Sequence, residues 1–351
     1  MDDVLRALRE WFALRNEVWL TGDSDELERT GVAARAIVEE MRRRQRLQER
    51  RGAKEQKVIV DAAVLSADGA RDGSRVRVKV AEHVRFLYEL DGELEHEQRV
   101  LQHEITFARS RDDIVMRAHR CLTEADVSQH GSAASDGQED GPTASVGSSA
   151  GDPAAGAAGS SGPAGPPGNP PGRAHAAQAI EALGAMRDGG YDRIRAWRYA
   201  ERWWNARNPE YQDMGVDCTN YISQTMAAGG LPQHATGRRD SGWWYRAAAH
   251  PAWSYSWAVA NAFAHYLQRR DNRVRAVLVQ NPRELKLGDV ICYDWQGNGA
   301  YNHSTVVTAH DAAGDPLVNA HTVNSHKRYF SYEDSYAWTE HTRYLFVHFA
   351  D

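Results

Sequence analysis

Three things are scarce in this chain of 351 residues, and each scarcity excludes something. No run of about 18 apolar residues occurs, so no segment reads as a membrane-spanning helix. Cysteine is down to Cys121, Cys218 and Cys292. They are widely spaced and odd in number, which excludes a disulfide framework and gives no spacing for structural zinc. A basic surplus is missing too: the net charge of −6 gives bulk electrostatics no pull toward nucleic acid or an anionic membrane. The first residues, Met1-Asp2-Asp3-Val4-Leu5-Arg6, are acidic and amphipathic rather than a basic stretch leading into an apolar one. They do not read as a secretion signal, and the expectation is a cytoplasmic protein. What is present is an apolar fraction of 42% with 11 Trp, enough for a sizeable core. The length gives room for about two domains.

Residues 1–122 read as a small α+β module. Asp2-Asp3 caps a helix carrying Val4, Leu8, Trp11 and Phe12 at helical spacing. A second helix is expected from Ser24 to Arg50, ending in the basic run Arg42-Arg43-Arg44 to Arg51. That run, interleaved with Glu39, Glu40 and Glu49, reads as a solvated face rather than a phosphate patch. The period then changes to two through Val58, Val60, Ala62 and Val64, and again through Val76, Val78 and Val80, with Asp91-Gly92 as a hairpin turn. His96, His103 and Glu104 lie on such strands and read as exposed side chains, not metal ligands. The module is assigned a structural or protein-binding role. Residues 123–176 are dominated by Gly, Ala, Ser and Pro; a stretch like Gly162-Pro163-Ala164-Gly165-Pro166-Pro167 buries too little to offset its ordering entropy and reads as a disordered linker.

Residues 177–351 differ sharply, holding nine of the Trp beyond residue 190. A helix is expected over Tyr191 to Asn208, another from Cys218 to the Gly229-Gly230 stop, and a third near Val259 to Arg269. Strands follow at Leu287 to Trp295, Asn302 to Thr308, Leu317 to Thr322 and Arg343 to Phe349. Cys218 opens its helix, where unpaired N–H groups and the positive dipole end favour the thiolate, the nucleophilic form. The alternative for a lone Cys is a buried structural thiol. The Trp243-Trp244 pair either lines a substrate groove or packs beneath a connection.

A nucleophilic thiol needs a base. A hairpin centred near Ala312 would set His303 opposite His321, on one face with Asn319 one pair along. That supplies a base and an orienting partner, provided no bulge shifts the register.

The run Asp217-Cys218-Thr219-Asn220-Tyr221-Ile222-Ser223-Gln224, then Gly288-Asp289 entering a strand, Asn302-His303-Ser304, and Leu317-Val318-Asn319-Ala320-His321-Thr322, resembles the amidase domain family of the amidase 6 type, within the papain-like NlpC/P60 and CHAP superfamily. The resemblance covers about residues 190 to 350. It implies an α+β fold: a papain-like domain of helix plus antiparallel sheet over 177–351. It also implies cleavage of an amide, as in peptidoglycan-type stem peptides, through a thioacyl-enzyme. Cys218 would be nucleophile, His303 base and His321 the third polar residue, with Asn319 as its rival. Tyr199 or Asn205 would assist the Cys218 N–H as oxyanion donor, and Asp217, Trp243, Trp244 and Trp295 would meet the substrate. Ser304 departs from the apolar residue common in relatives. Neither cofactor nor metal is called for. The rival readings are acyl or peptidyl transfer, and a binding module without turnover.

Overall fold

The alternating patterns of the first half become four long strands. The computed structural model describes residues 2–29, 35–70, 74–109, 114–122 and 190–350. β1 (Lys54–Gly69), β2 (Arg75–Leu90), β3 (Glu93–Arg109) and β4 (Ile114–Leu122) form an antiparallel meander. From Val78 to Leu90, β2 buries every second residue, as period-two patterning requires. Asp91 (φ 51°) and Gly92 (φ 82°) make the tight turn that pairs Leu90 with Glu93, both in the left-handed region a two-residue hairpin needs. Above the sheet lie α1 (Asp2–Thr21), α2 (Asp25–Arg29) and α3 (Arg35–Arg51). The helix expected over Ser24–Arg50 is thus α2 and α3, with residues 30–34 outside the described ones. α1 buries Val4, Leu8, Trp11, Phe12, Val18 and Trp19 against the strands. The linker expected over 123–176 also lies outside the described residues.

In the second half, α4 (Arg193–Trp203) and α5 (Cys218–Ala228) precede two short hairpins, β5 (His234–Ala235) with β6 (Gly242–Trp243) and β7 (Tyr245–Arg246) with β8 (Ala252–Trp253). α6 (Tyr255–Ala258) and α7 (Ala260–Gln268) follow. Then come β9 (Ala276–Val279), β10 (Val290–Asp294), β11 (His303–His310), β12 (Pro316–Ala320), β13 (Asn324–Tyr329) and β14 (Arg343–Phe349). One face of these strands, with Val290, Cys292, Val306 and Val347, packs on α5 and α7. The other, with Ile291, Tyr293, Val307 and Val318, packs on Leu285, Tyr332 and Ala337. Among the described residues no helix is long and apolar enough to cross a membrane.

The halves share one sheet. Among the described residues ten antiparallel strands run in the order β1-β2-β3-β13-β12-β11-β10-β14-β9, with β4 also on β3. The junction pairs Val100 with Asn324, Arg99 with Ser325 and Gln98 with His326. Its ion network takes Arg44 and Arg51 out of the basic run, while Arg42, Arg46 and Arg50 stay on the solvated face the sequence suggests. Arg44 is buried and bonds Glu55 and Glu97, each at 2.7 Å. It also lies 3.7 Å from Asp334, which takes Arg328 at 2.9 Å and Arg99 as well. Arg51 reaches Asp311 at 2.9 Å and lies over the Tyr329 ring at 3.9 Å. His103, expected to be exposed, is buried, with Nε2 2.7 Å from Glu82 and Nδ1 2.9 Å from His119.

Arg44, Arg99 and Arg328 balance Glu55, Glu97 and Asp334, leaving Glu40, 3.7 Å from Arg99, as the surplus acid. Burial alone would raise the Asp334 carboxyl, but Arg328, Arg99 and Arg44 hold it far below the usual range. Asp334→Ala takes the carboxylate from Arg328 and removes one that Arg99 shares, and should cost about 3–5 kcal/mol in urea unfolding. For Glu40, burial pushes the pKa up to about 7, more than Arg99 pulls it down. The folded state therefore holds this proton where the unfolded chain has released it, so Glu40 costs stability as pH rises from its ordinary value toward 7. Glu40→Gln should equal the parent at pH 4 and exceed it at pH 8 by an amount on the order of 3 kcal/mol, read from paired unfolding curves.

Candidate active site

Helix α5 is buried from Cys218 to Met226, although Thr219, Asn220, Ser223, Gln224 and Thr225 are polar. Each of these has a hydrogen-bonding partner. Thr225 bonds the Tyr221 carbonyl at 3.0 Å, Ser223 Oγ accepts from Trp243 Nε1 at 2.9 Å, and Gln224 Oε1 accepts from the Tyr199 hydroxyl at 2.5 Å. Asn220 Oδ1 accepts from Trp257 Nε1 at 2.9 Å, and its Nδ2 donates to Asp217 Oδ1 at 2.8 Å. Thr219 Oγ1 lies 3.4 Å from Ser304 Oγ on β11. Polar side chains thus knit the helix between the sheet and an aromatic layer.

Cys218 is the first residue of α5, as expected, and is 4% exposed. Its Sγ is 3.7 Å from Thr219 Oγ1, and the Ser304 backbone and Thr322 side chain also favour its charged form. Burial pushes the thiol pKa up, outweighing those hydrogen bonds. The resting sulfur is therefore a thiol, and the helix dipole does not by itself make a thiolate. Asp217 is buried as well. Its Oδ2 meets His321 Nδ1 at 2.6 Å and Arg207 Nε at 3.1 Å. His321 stacks on Tyr221 at 3.9 Å, and its Nε2 lies 2.6 Å from the Trp203 carbonyl. Burial lowers the His321 pKa despite the Asp217 contact, and a neutral ring has one N–H for two acceptors.

The expected pairing of His303 with His321 does not form. Val306 pairs with Asn319 and Val307 with Val318, and a bulge then sets Ala309 against Leu317. This register is offset by one residue from a hairpin centred on Ala312, and one residue exchanges faces. Ser304 and Cys292 point toward α5, whereas His303 turns the other way, against Tyr293 (5.5 Å), Trp295 (5.9 Å) and Tyr332 (5.4 Å). Asn319 is on the helix side but bonds Thr308 at 2.9 Å and Glu201 at 3.1 Å.

Other candidates also sit differently from expectation. The Tyr199 hydroxyl is held between Gln224 of α5 and Asn208 of the segment after α4. Asn205 is exposed in the turn after α4. Trp243 and Trp244 are packed rather than groove-lining: Trp243 stacks on Trp257 at 5.0 Å, and Trp244 Nε1 donates to the Ser241 carbonyl at 3.1 Å. Trp295 is buried with His303 on the far face. Asp217 is wholly engaged with protein groups. Half-buried rings near the site include Trp203, Tyr211, Tyr245 and Trp253, with Tyr245 accepting from the Gln212 amide at 2.9 Å.

Thr322 escaped the sequence reading. It is a β-branched residue at φ 85°, in the region that favours glycine, at a cost of about 1–3 kcal/mol. Its Oγ1 accepts from the Asp217 amide at 3.3 Å. Such strain is not legible in a single Thr codon of a strand-like run; the adjoining His321 was the one local signal.

With its pKa raised by burial, Cys218 should alkylate with iodoacetamide more slowly than the half-buried Cys121 at pH 7. Its rate should climb with pH as thiolate forms, as peptide mass spectrometry will follow. Asp217→Asn should cost about 2 kcal/mol in urea unfolding through the weakened His321 and Arg207 bonds.

Residues 190–347 match the family model described as "Putative amidase domain". Over 161 residues the chain is 49% identical to the uncharacterized protein YhbB of Bacillus subtilis (strain 168), covering 46% of this chain and 51% of that protein. Over 128 residues it is 26% identical to the uncharacterized protein YjcM of the same organism, covering 34% of this chain and 28% of that protein. The chain therefore spans about half the length, or less, of these curated relatives. No solved structure matches. The family match points residues 190–347 to amide hydrolysis.

Proposed function

We propose that this half of the chain is a cysteine-dependent amide hydrolase of papain-like type, acting on a peptide or isopeptide of the kind found in peptidoglycan. The observation that carries the reading is the convergence on the start of α5. A Cys opens the helix, a strained Thr322 turns its hydroxyl to the same point, and the buried His321 bonds Asp217, the residue just before the Cys. Strained backbone of this kind gathers at functional sites.

In this reading His321, rather than His303, is the base. Its Nε2 exchanges the Trp203 carbonyl for the Cys218 thiol and takes the proton, while Asp217 holds Nδ1 and stabilises the imidazolium. The sulfur attacks the amide carbon, forming the C–S bond, and N–H groups of the first turn of α5 hold the developing oxyanion. The imidazolium returns its proton to the departing amine as the C–N bond breaks. Water, deprotonated by the same ring, then breaks the C–S bond and releases the acid. An amine in place of water would give acyl transfer by the same steps. The second reading, a binding module without turnover, is favoured by the 4% exposure and raised pKa of Cys218. The chemistry therefore requires substrate to open the site.

Purified full-length protein assayed on cell-wall-type peptides by mass spectrometry decides between them. Cys218→Ala should abolish product, and full activity in that variant would end the proposal. His321→Ala should reduce turnover by roughly 10²–10⁴. His303→Ala should act mainly through lost packing, lowering the unfolding midpoint while leaving the reaction's pH profile in place.

A further inference from the structure

The turn carrying His321 and Thr322 is gripped by the other half of the chain. Val323, one residue beyond Thr322, is 6% exposed and belongs to the apolar core of residues 2–122, with Val84, Phe86 and Leu101. Asn324, Ser325 and His326 then pair with β3. Beyond them, Arg328 joins Arg99 and Arg44 on Asp334. On the other side of the turn, Thr322 Oγ1 accepts from the Asp217 amide at 3.3 Å, and its side chain favours the charged form of Cys218. A β-branched residue stays at φ 85° only where its surroundings fix it on both sides.

We propose that residues 2–122 form a built-in positioning unit for the Cys218 site. They seat Val323 in their own core and pair β3 with β13, and so hold Thr322 in the conformation that delivers its hydroxyl to the start of α5. The inference rests on the proposed reading of that site for its catalytic meaning, but not for its physical test. It assigns the first half an internal partner, the β12–β13 turn, in place of a separate ligand. Val323 and Arg99 are then positioning residues, acting on Cys218 only through Thr322.

The test is hydrogen exchange of the full chain, read without turnover. Val323→Ala should speed exchange of the segment 216–219, which includes the Asp217 amide bonded to Thr322, by on the order of tenfold. Exchange in β10 and β14 should stay at the parent rate. In a Thr322→Gly background, where the left-handed conformation is relaxed and the hydroxyl absent, Val323→Ala should change that segment no further. The inference is overturned if Val323→Ala leaves residues 216–219 at the parent rate, or if exchange rises equally in β10 and β14, the mark of general destabilisation. Should Val323→Ala fail to fold, Val323→Thr, which keeps the volume but weakens the apolar seat with a buried hydroxyl, makes the same comparison. A Cys218→Ala enzyme that stays active would remove the hydrolase reading and leave this coupling standing; unchanged exchange with Cys218-dependent turnover would do the reverse.

Discussion

The Asp217 carboxylate, 1% exposed, is the contact on which the geometry around Cys218 depends. One oxygen takes Asn220, whose amide in turn anchors Trp257 and so the aromatic layer over α5. The other takes His321 from the β12–β13 turn and Arg207 from the loop after α4. A buried charge must be compensated on every side, and here the compensating groups come from separate parts of the chain. Closing that set of bonds fixes where α5 begins. It thereby fixes where the sulfur of the next residue can lie.

The sheet extends this constraint outward. Without β3, strand β13 would present an open edge bearing Ser325, His326, Lys327 and Arg328, a sequence with little apolar surface to bury on its own. Pairing with β3 and with β12 buries all four. Around them Glu201 bonds His326 at 2.9 Å and Trp204 lies tilted against its ring at 5.1 Å, while His83 of β2 lies 6.0 Å from the same Trp204. Residues from both halves therefore solvate one another at the junction, where water would otherwise have to. The buried arginines serve the same end: a guanidinium offers enough donors to bridge several carboxylates, and Arg99 bridges Glu97 and Asp334 from opposite sides of the seam.

Much of this was legible in the chain, and the misses have physical causes. Strands β2 and β3 were readable because one buried face writes itself as alternation, and the Asp91-Gly92 turn because left-handed backbone selects such residues. The start of α5 was readable from Cys218 and the Gly229-Gly230 stop. Strand β13 was not, because Asn324-Ser-His-Lys-Arg-Tyr329 is buried by pairing and ion bonds rather than by apolar side chains. For the same reason Arg44 and Arg51 looked solvated: seven residues apart, they share a helical face, but the acids that meet them lie on other strands and in the other half of the chain. The face of His303 turned on a bulge beside Val307, which leaves no mark in composition or spacing.

The buried thiol and the strained Thr322 belong to one physical account. A sulfur enclosed by Thr219, Ser304 and Thr322 is protected while its pKa is high, and charge on it is costly until something replaces that burial. Thr322, by contrast, holds energy that a small movement of the β12–β13 turn would release. Movement of that turn would loosen His321 from the Trp203 carbonyl and open one side of the thiol enclosure together, since both depend on the same two residues, His321 and Thr322. In the proposed hydrolase reading, substrate binding that displaced the turn would couple access to proton transfer. The firmness with which residues 2–122 hold Val323 would then set how much binding free energy that displacement requires.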